Sequence, residues 1–77
     1  MMSNEEWNKK FAKRFKRLLK EKGMNQYEFA DAMFMSQTTV SYYATGKRTP
    51  SAYTMLLMSE ILGCDVEYLI DVKGEEL

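Results

Sequence analysis

Apolar residues recur at helical spacing near the start of the chain, and this pattern limits the fold more than any other feature. They follow one another at steps of four, four and three residues: Trp7, Phe11, Phe15 and Leu18. Such spacing puts them on one face of an amphipathic α-helix, predicted over about residues 5–22. Gly23 is expected to end the helix in the left-handed conformation. Since little else in the chain can complete a small core, we expect this stripe to be buried.

Start and stop signals predict four shorter helices after the first. They are predicted over about residues 26–33, 37–44, 51–62 and 66–71. Asn25 with Glu28 forms a capping-box pattern, and Ser36, Ser51 and Asp65 stand where N-caps are expected. No alternating strand pattern is visible, so the predicted fold is all-α, a compact five-helix domain.

The chain has 77 residues, which is the length of one domain. We expect the folded part to cover about residues 5–71 and residues 72–77 to form a frayed tail. Histidine is absent and Cys64 is the one cysteine, so zinc sites of Cys and His, Ser-His-Asp triads and Cys-His dyads are excluded. Neither an enzyme nor a cofactor is expected. The longest apolar run, at 55–58, is too short to span a membrane, and we expect a cytoplasmic protein.

Charge is unevenly distributed although the net charge is zero. Residues 1–49 hold ten Lys and Arg against five acids, while residues 50–77 hold one Lys against six acids. This asymmetry predicts an anion-binding partner for the first half. The alternative is that solvated helix faces carry these charges without a partner. Taken alone, the basic face of the first helix is also compatible with a membrane surface or calmodulin.

The third predicted helix separates polar from apolar side chains. At about 100° per residue, Gln37, Thr38, Ser41 and Tyr42 fall within about 140° of one another. Val40 and Tyr43 lie on the opposite side. Two short helices joined by a short turn, the second with an exposed hydrogen-bonding face, are typical of a helix-turn-helix.

The run MNQYEFADAMFMSQTTVSYYATGKRTPS resembles the phage repressor/Cro-like helix-turn-helix family. The resemblance extends over about residues 10–71 and implies a small DNA-binding transcriptional regulator, encoded by a prokaryote or phage and associated with the nucleoid. By this resemblance Gln37, Thr38, Ser41 and Tyr42 read base edges, and glutamine suits adenine. The resemblance also implies that phosphates are contacted by Gln26, Thr39, Lys47 and Arg48. It further implies that the two helices of the helix-turn-helix pack on each other through Ala30, Val40 and Tyr43.

Two positions depart from the family pattern. Phe34 occupies the turn position that is usually glycine. Either the backbone there is left-handed, at a cost of about 1–2 kcal/mol, or the turn has another shape. Tyr42 stands where a polar or basic residue is commoner.

The acidic half has more apolar side chains than one core requires. The expected core members are Ala52, Met55, Leu56, Met58, Leu62, Cys64, Val66 and Leu69. The surplus, expected to face outward, is Tyr53, Leu57, Tyr68 and Ile70. We therefore expect a homodimer through helices 4 and 5, with recognition helices about 34 Å apart. The alternative is that these side chains cover their own core.

The leading hypothesis is a sequence-specific regulator of double-stranded DNA, a repressor, with no membrane contact and no small-molecule ligand. The alternative is a protein-interaction module on the same fold, for example antitoxin-like, with weak or lost DNA binding. An enzyme is disfavoured, because the adjacent carboxylate pairs lie at the chain ends and a pocket is hard to enclose in so short a chain.

Overall fold

The computed structural model describes residues 2–76, which form an all-α fold without strands. Five helices follow in order: α1 (Asn4–Lys22), α2 (Gln26–Met33), α3 (Gln37–Thr45), α4 (Ala52–Leu62) and α5 (Val66–Ile70). The predicted fold class is thus confirmed, with helix ends displaced by one residue at most. None of the helices in this part of the chain has the length and apolarity needed to cross a membrane.

Side-chain caps are present at four of the five helix starts, and three of them were predicted. The amide of Glu6 donates to Ser3 at 3.1 Å, an unpredicted cap of α1. Asn25 and Glu28 form the complete capping box, with bonds of 2.8 and 3.0 Å. Ser36 and Ser51 accept from the third residue of α3 and α4. Asp65 is an exception to the prediction: it precedes α5 but makes no side-chain capping bond.

The core forms around the aromatic stripe of α1, as predicted. Phe11 and Phe15 are fully buried, and the Phe15 ring meets that of Phe29 edge-on at 5.0 Å. Trp7 stacks on Phe11 at 5.0 Å and donates its indole N–H to the carbonyl of Ile70. Burial of these aromatic side chains contributes a large share of the hydrophobic stabilisation of the core. α1 consequently contacts α3, α4 and α5.

The predicted core of the C-terminal half is only partly correct. Met58, Leu62 and Leu69 are buried, but Leu56 is 51% exposed and Ala52 is also exposed. The remaining predicted members are half-buried: Met55, Cys64 and Val66. Helix α4 is apolar on more than one face, so its periodicity alone did not identify the side that packs on α1.

The predicted frayed tail is wrong for the residues described. Residues 71–76, here called the C-terminal strap, lie along α1. Val72 is 1% exposed, and the Glu75 carboxylate forms ion pairs with Arg14 at 2.6 Å and Arg17 at 2.7 Å. Arg14 is accordingly buried rather than on the outer face of α1. Leu77 lies outside the described residues.

Glu75 makes the stability of the fold pH-dependent. Hydrogen bonds from Arg14 hold the pKa of Glu75 below its ordinary value, against the opposing effect of burial, and bonds from Arg17 act in the same direction. A lowered pKa in the folded state gives stability that is present above the unfolded pKa, about 4.3, and is lost as pH falls through the folded value.

We expect Glu75→Gln to lower the free energy of unfolding by roughly 1–3 kcal/mol at pH 7, because it removes the charge that both arginines contact. The difference from the unaltered chain should shrink at pH 3. Urea unfolding at both pH values measures this, with Glu76→Gln as the matched control. An equal loss in the two variants would contradict the assignment.

Candidate nucleic-acid interface

Helices α2 and α3 are held together by small and β-branched side chains between them. Ala30 is 3% exposed and Val40 is fully buried, while Tyr43 packs on the same core. Between the helices, the amide of Met35 donates to the carbonyl of Ala30 at 3.0 Å. Because little room separates the two axes at Ala30, the angle of α3 is set by close packing. These are the packing roles that the family resemblance implied.

The turn between the two helices has the left-handed conformation. Phe34 ends α2 with φ 56° and ψ 41°, the one positive φ among the described non-glycine residues. Its amide donates to the carbonyl of Asp31, which completes a helix end of the kind that glycine usually makes. The side chain is 97% exposed. Of the two alternatives for this position, the left-handed backbone is therefore correct. The Phe34 side chain makes no contact with the core that would offset the strain.

Four polar side chains from two helices line one open depression. Its lining is Gln26 from the first turn of α2 and Gln37, Thr38 and Ser41 from α3. Gln37 and Thr38 are exposed, and Gln26 and Ser41 are half-buried. This set, here called the reading face, combines amide and hydroxyl groups, which donate and accept hydrogen bonds. Sequence reasoning named all four residues, and the fold brings them together.

Tyr42 does not line this depression, and its ring is paired with Arg48. The Arg48 guanidinium carbon is 5.1 Å from the centre of the Tyr42 ring, a cation–π distance. Arg48 comes from the loop after α3, and neither it nor Lys47 forms an ion pair within residues 2–76. The aromatic ring thus orients an exposed cation.

Thr39 is occupied in the N-terminal cap of α3. Its amide donates to the Ser36 hydroxyl at 3.1 Å, and the two hydroxyl groups share a bond of 2.9 Å. The side chain is half-buried. A phosphate contact by Thr39 would therefore involve a hydroxyl that already helps to fix the start of α3.

The loop that carries Lys47 and Arg48 is anchored on α1 by contacts that sequence analysis missed. Thr49 donates its hydroxyl to the side-chain oxygen of Asn8 at 2.6 Å. Gly46 has φ 78°, and a Cβ there would lie 3.3 Å from backbone atoms of Asn8 and Lys9. Nothing in either short segment indicates the pairing, because the two partners are 41 residues apart. The anchor places both cations at the C-terminal end of α3.

The four residues predicted for a dimer interface are separated in space. Tyr53 and Leu57 line a depression beside Phe34. Tyr68 packs on Arg14, whose guanidinium carbon is 4.3 Å from the ring centre. Ile70 lies in a wholly apolar groove between α4 and α5, here called the α4–α5 groove. Its lining residues are Ala52, Met55, Leu56, Val66 and Ile70.

Two packed helices, a tight turn and an exposed polar face on the second helix define a helix-turn-helix protein. The model of the Helix-turn-helix family HTH_3 matches residues 15–69, which is more than two thirds of the chain. The chain belongs to this family and is a DNA-binding transcription regulator of the Cro-like type. No curated protein matches the chain.

A solved structure shares the fold. It is the restriction-modification controller protein C.AhdI from Aeromonas hydrophila, with a TM-score of 0.76 and 24% sequence identity. The match covers 80% of this chain and 94% of that chain. At this level of identity the likeness concerns the arrangement of the helices.

The strained turn predicts an unusual response to substitution. Phe34→Gly removes a bulky residue from a left-handed position, and the gain is offset by the greater freedom of glycine in the unfolded chain. We expect the free energy of unfolding to stay constant or to rise by up to about 1 kcal/mol, since the exposed ring loses no packing. Thermal unfolding measures the change.

Gly46→Ala is the comparison, because it puts a Cβ at a positive φ and against the α1 backbone. We expect it to destabilise the fold by roughly 2 kcal/mol. If Phe34→Gly destabilised the chain as much as Gly46→Ala does, the account of the turn would be wrong.

Proposed function

We propose that the protein binds double-stranded DNA in a sequence-specific manner and acts as a repressor. The observation that carries the proposal is the reading face, where Gln26, Gln37, Thr38 and Ser41 converge on one open surface. Amide and hydroxyl side chains at the start of a recognition helix suit the donor and acceptor pattern of the major groove.

Each side chain of the reading face has a distinct task in this mechanism. Gln37 pairs with an adenine edge through its amide, and Thr38 and Ser41 contact neighbouring bases. Gln26, at the N-terminus of α2, binds a backbone phosphate, where the helix N-terminus also favours an anion. These phosphate contacts fix the register in which α3 lies in the groove.

The loop after α3 supplies the electrostatic part of binding. Lys47 and Arg48 are exposed cations, and neutralising phosphates with such residues releases counterions. The contact between Tyr42 and Arg48 favours a supporting task for Tyr42, in which its ring steers Arg48 to a phosphate. Tyr42 then contributes to affinity through that orientation, and to specificity through any base contact of its own.

A homodimer through α4 and α5 completes the proposal. The α4–α5 groove is lined by apolar side chains, and Leu56 and Ile70 beside it are exposed. A second copy related by a two-fold axis would cover both grooves and present two recognition helices to successive turns of DNA.

A second candidate function is a protein-interaction module, favoured by the exposed Phe34. Its ring stands beside a depression formed by Tyr53, Leu57 and Ile61, with Glu60 at the edge. A fully exposed phenylalanine in a strained conformation has no explanation in the folding of this chain alone. A partner protein with an apolar cavity and a basic rim would match this surface.

Selection of binding sites from a random duplex pool tests the DNA-binding function. We expect a pseudo-palindromic site, and we expect Gln37→Ala combined with Ser41→Ala to lose base preference at fixed positions while staying folded. Lys47→Ala is the control, because losing a phosphate contact should weaken all sequences alike and reduce the salt slope by about 0.9. Absence of enrichment, with binding that vanishes at moderate salt, would favour the interaction module.

Light scattering at increasing protein concentration tests the dimer. Leu56→Glu puts a charge into the apolar groove and should leave the protein monomeric. Tyr53→Glu is the matched control on the same helix, since Tyr53 is 71% exposed but lines the depression beside Phe34. A dimer that survived Leu56→Glu but not Tyr53→Glu would place the interface on the other side of α4.

A further inference from the structure

The C-terminal strap is held on α1 by a dense set of polar contacts. Lys10 donates to the carbonyl of Lys73 at 3.1 Å, and Lys13 donates to that of Glu76. Both oxygens of the Glu75 carboxylate are used, Oε2 by Arg14 at 2.6 Å and Oε1 by Arg17 at 2.8 Å. The side chains of Arg14 and Glu75 are each 9% exposed, so this is a shielded pair.

The same two arginines hold α5. Arg14 donates to the carbonyl of Tyr68 and stacks on its ring, and Arg17 donates to the Tyr68 hydroxyl at 3.2 Å. Glu75 therefore fixes one side of each guanidinium while the other side contacts α5. Removing the carboxylate would leave Arg14 buried with only part of its hydrogen bonds made.

Helix α5 has few stabilising interactions within itself. It has five residues and no side-chain N-cap, and isolated helices shorter than about 12–15 residues are marginal in water. Its position depends on packing by Leu69 and on the bonds from α1 at Tyr68 and Ile70. Yet α5 supplies Val66 and Ile70, one wall of the α4–α5 groove.

We propose that Glu75 is a positioning residue for self-association. Through Arg14 and Arg17 it fixes α5 against α1, and the position of α5 sets the shape of the α4–α5 groove that a second copy covers. The inference rests on the proposed dimer and adds to it a residue that lies outside the interface itself.

Sedimentation equilibrium of the full chain tests this inference through the dimer dissociation constant. We expect Glu75→Gln to raise the constant by about tenfold, corresponding to one weakened charge-assisted hydrogen bond. Glu76→Gln removes the same charge from the neighbouring residue, whose side chain is exposed, and should leave the constant unchanged. Amide hydrogen exchange at Leu69 should be faster in Glu75→Gln than in the control.

A purely structural role for Glu75 would lower the unfolding free energy without changing the dissociation constant measured under conditions where every variant is fully folded. Arg17→Gln is a milder second variant, because Arg17 is 42% exposed and the bond from Arg14 remains. It should weaken the dimer less than Glu75→Gln does.

Equal constants for Glu75→Gln and Glu76→Gln would overturn the inference while leaving the dimer in place. A monomeric unaltered chain, or a dimer that persists in Leu56→Glu, would overturn the proposed groove dimer and the inference with it. The two failures are therefore distinguishable.

Discussion

Burial of Phe15 is the interaction on which the rest of the structure depends. Phe15 stacks with Phe11 at 6.2 Å and meets Phe29 edge-on, so it joins α1 to α2 in one aromatic cluster. Val40 of α3 and Met58 of α4 are buried in the same core. In so short a chain no second core can compensate for a loss here. The reading face is thus held by α1, although α1 contributes no residue to it.

Local patterns predicted much of the fold and of the reading face. Periodicity located α1, capping residues located α2 to α4, and the spacing of Gln37, Thr38 and Ser41 identified one face of α3. Each of these features depends on residues that are close together in the sequence. The contacts from Asn8 to Thr49 and from Arg14 to Glu75 were not predictable in this way. Such partners are brought together only by packing of the whole chain, and single polar residues carry no periodic signal.

Part of the uneven charge distribution is used in contacts within the chain. The Glu75 carboxylate forms ion pairs with Arg14 and Arg17, and carbonyl groups of the strap accept hydrogen bonds from Lys10 and Lys13. The amino-acid composition gives the number of charged residues in each half of the chain, but it does not show which of them form ion pairs. The cations available to a nucleic acid next to α3 are those of its following loop.

Helix α1 contacts both the strap and the core that holds the recognition helix α3. This helix contacts α3 through the core, and it contacts α5 through Arg14 and Arg17. A DNA-binding dimer requires both a fixed reading face and a fixed distance between two such faces. The reading face depends on aromatic packing, whereas in the proposed dimer the distance between two such faces would depend on α5 and therefore on a shielded ion pair. Acid that protonates Glu75 should therefore affect the position of α5 before it affects the geometry of the recognition helix.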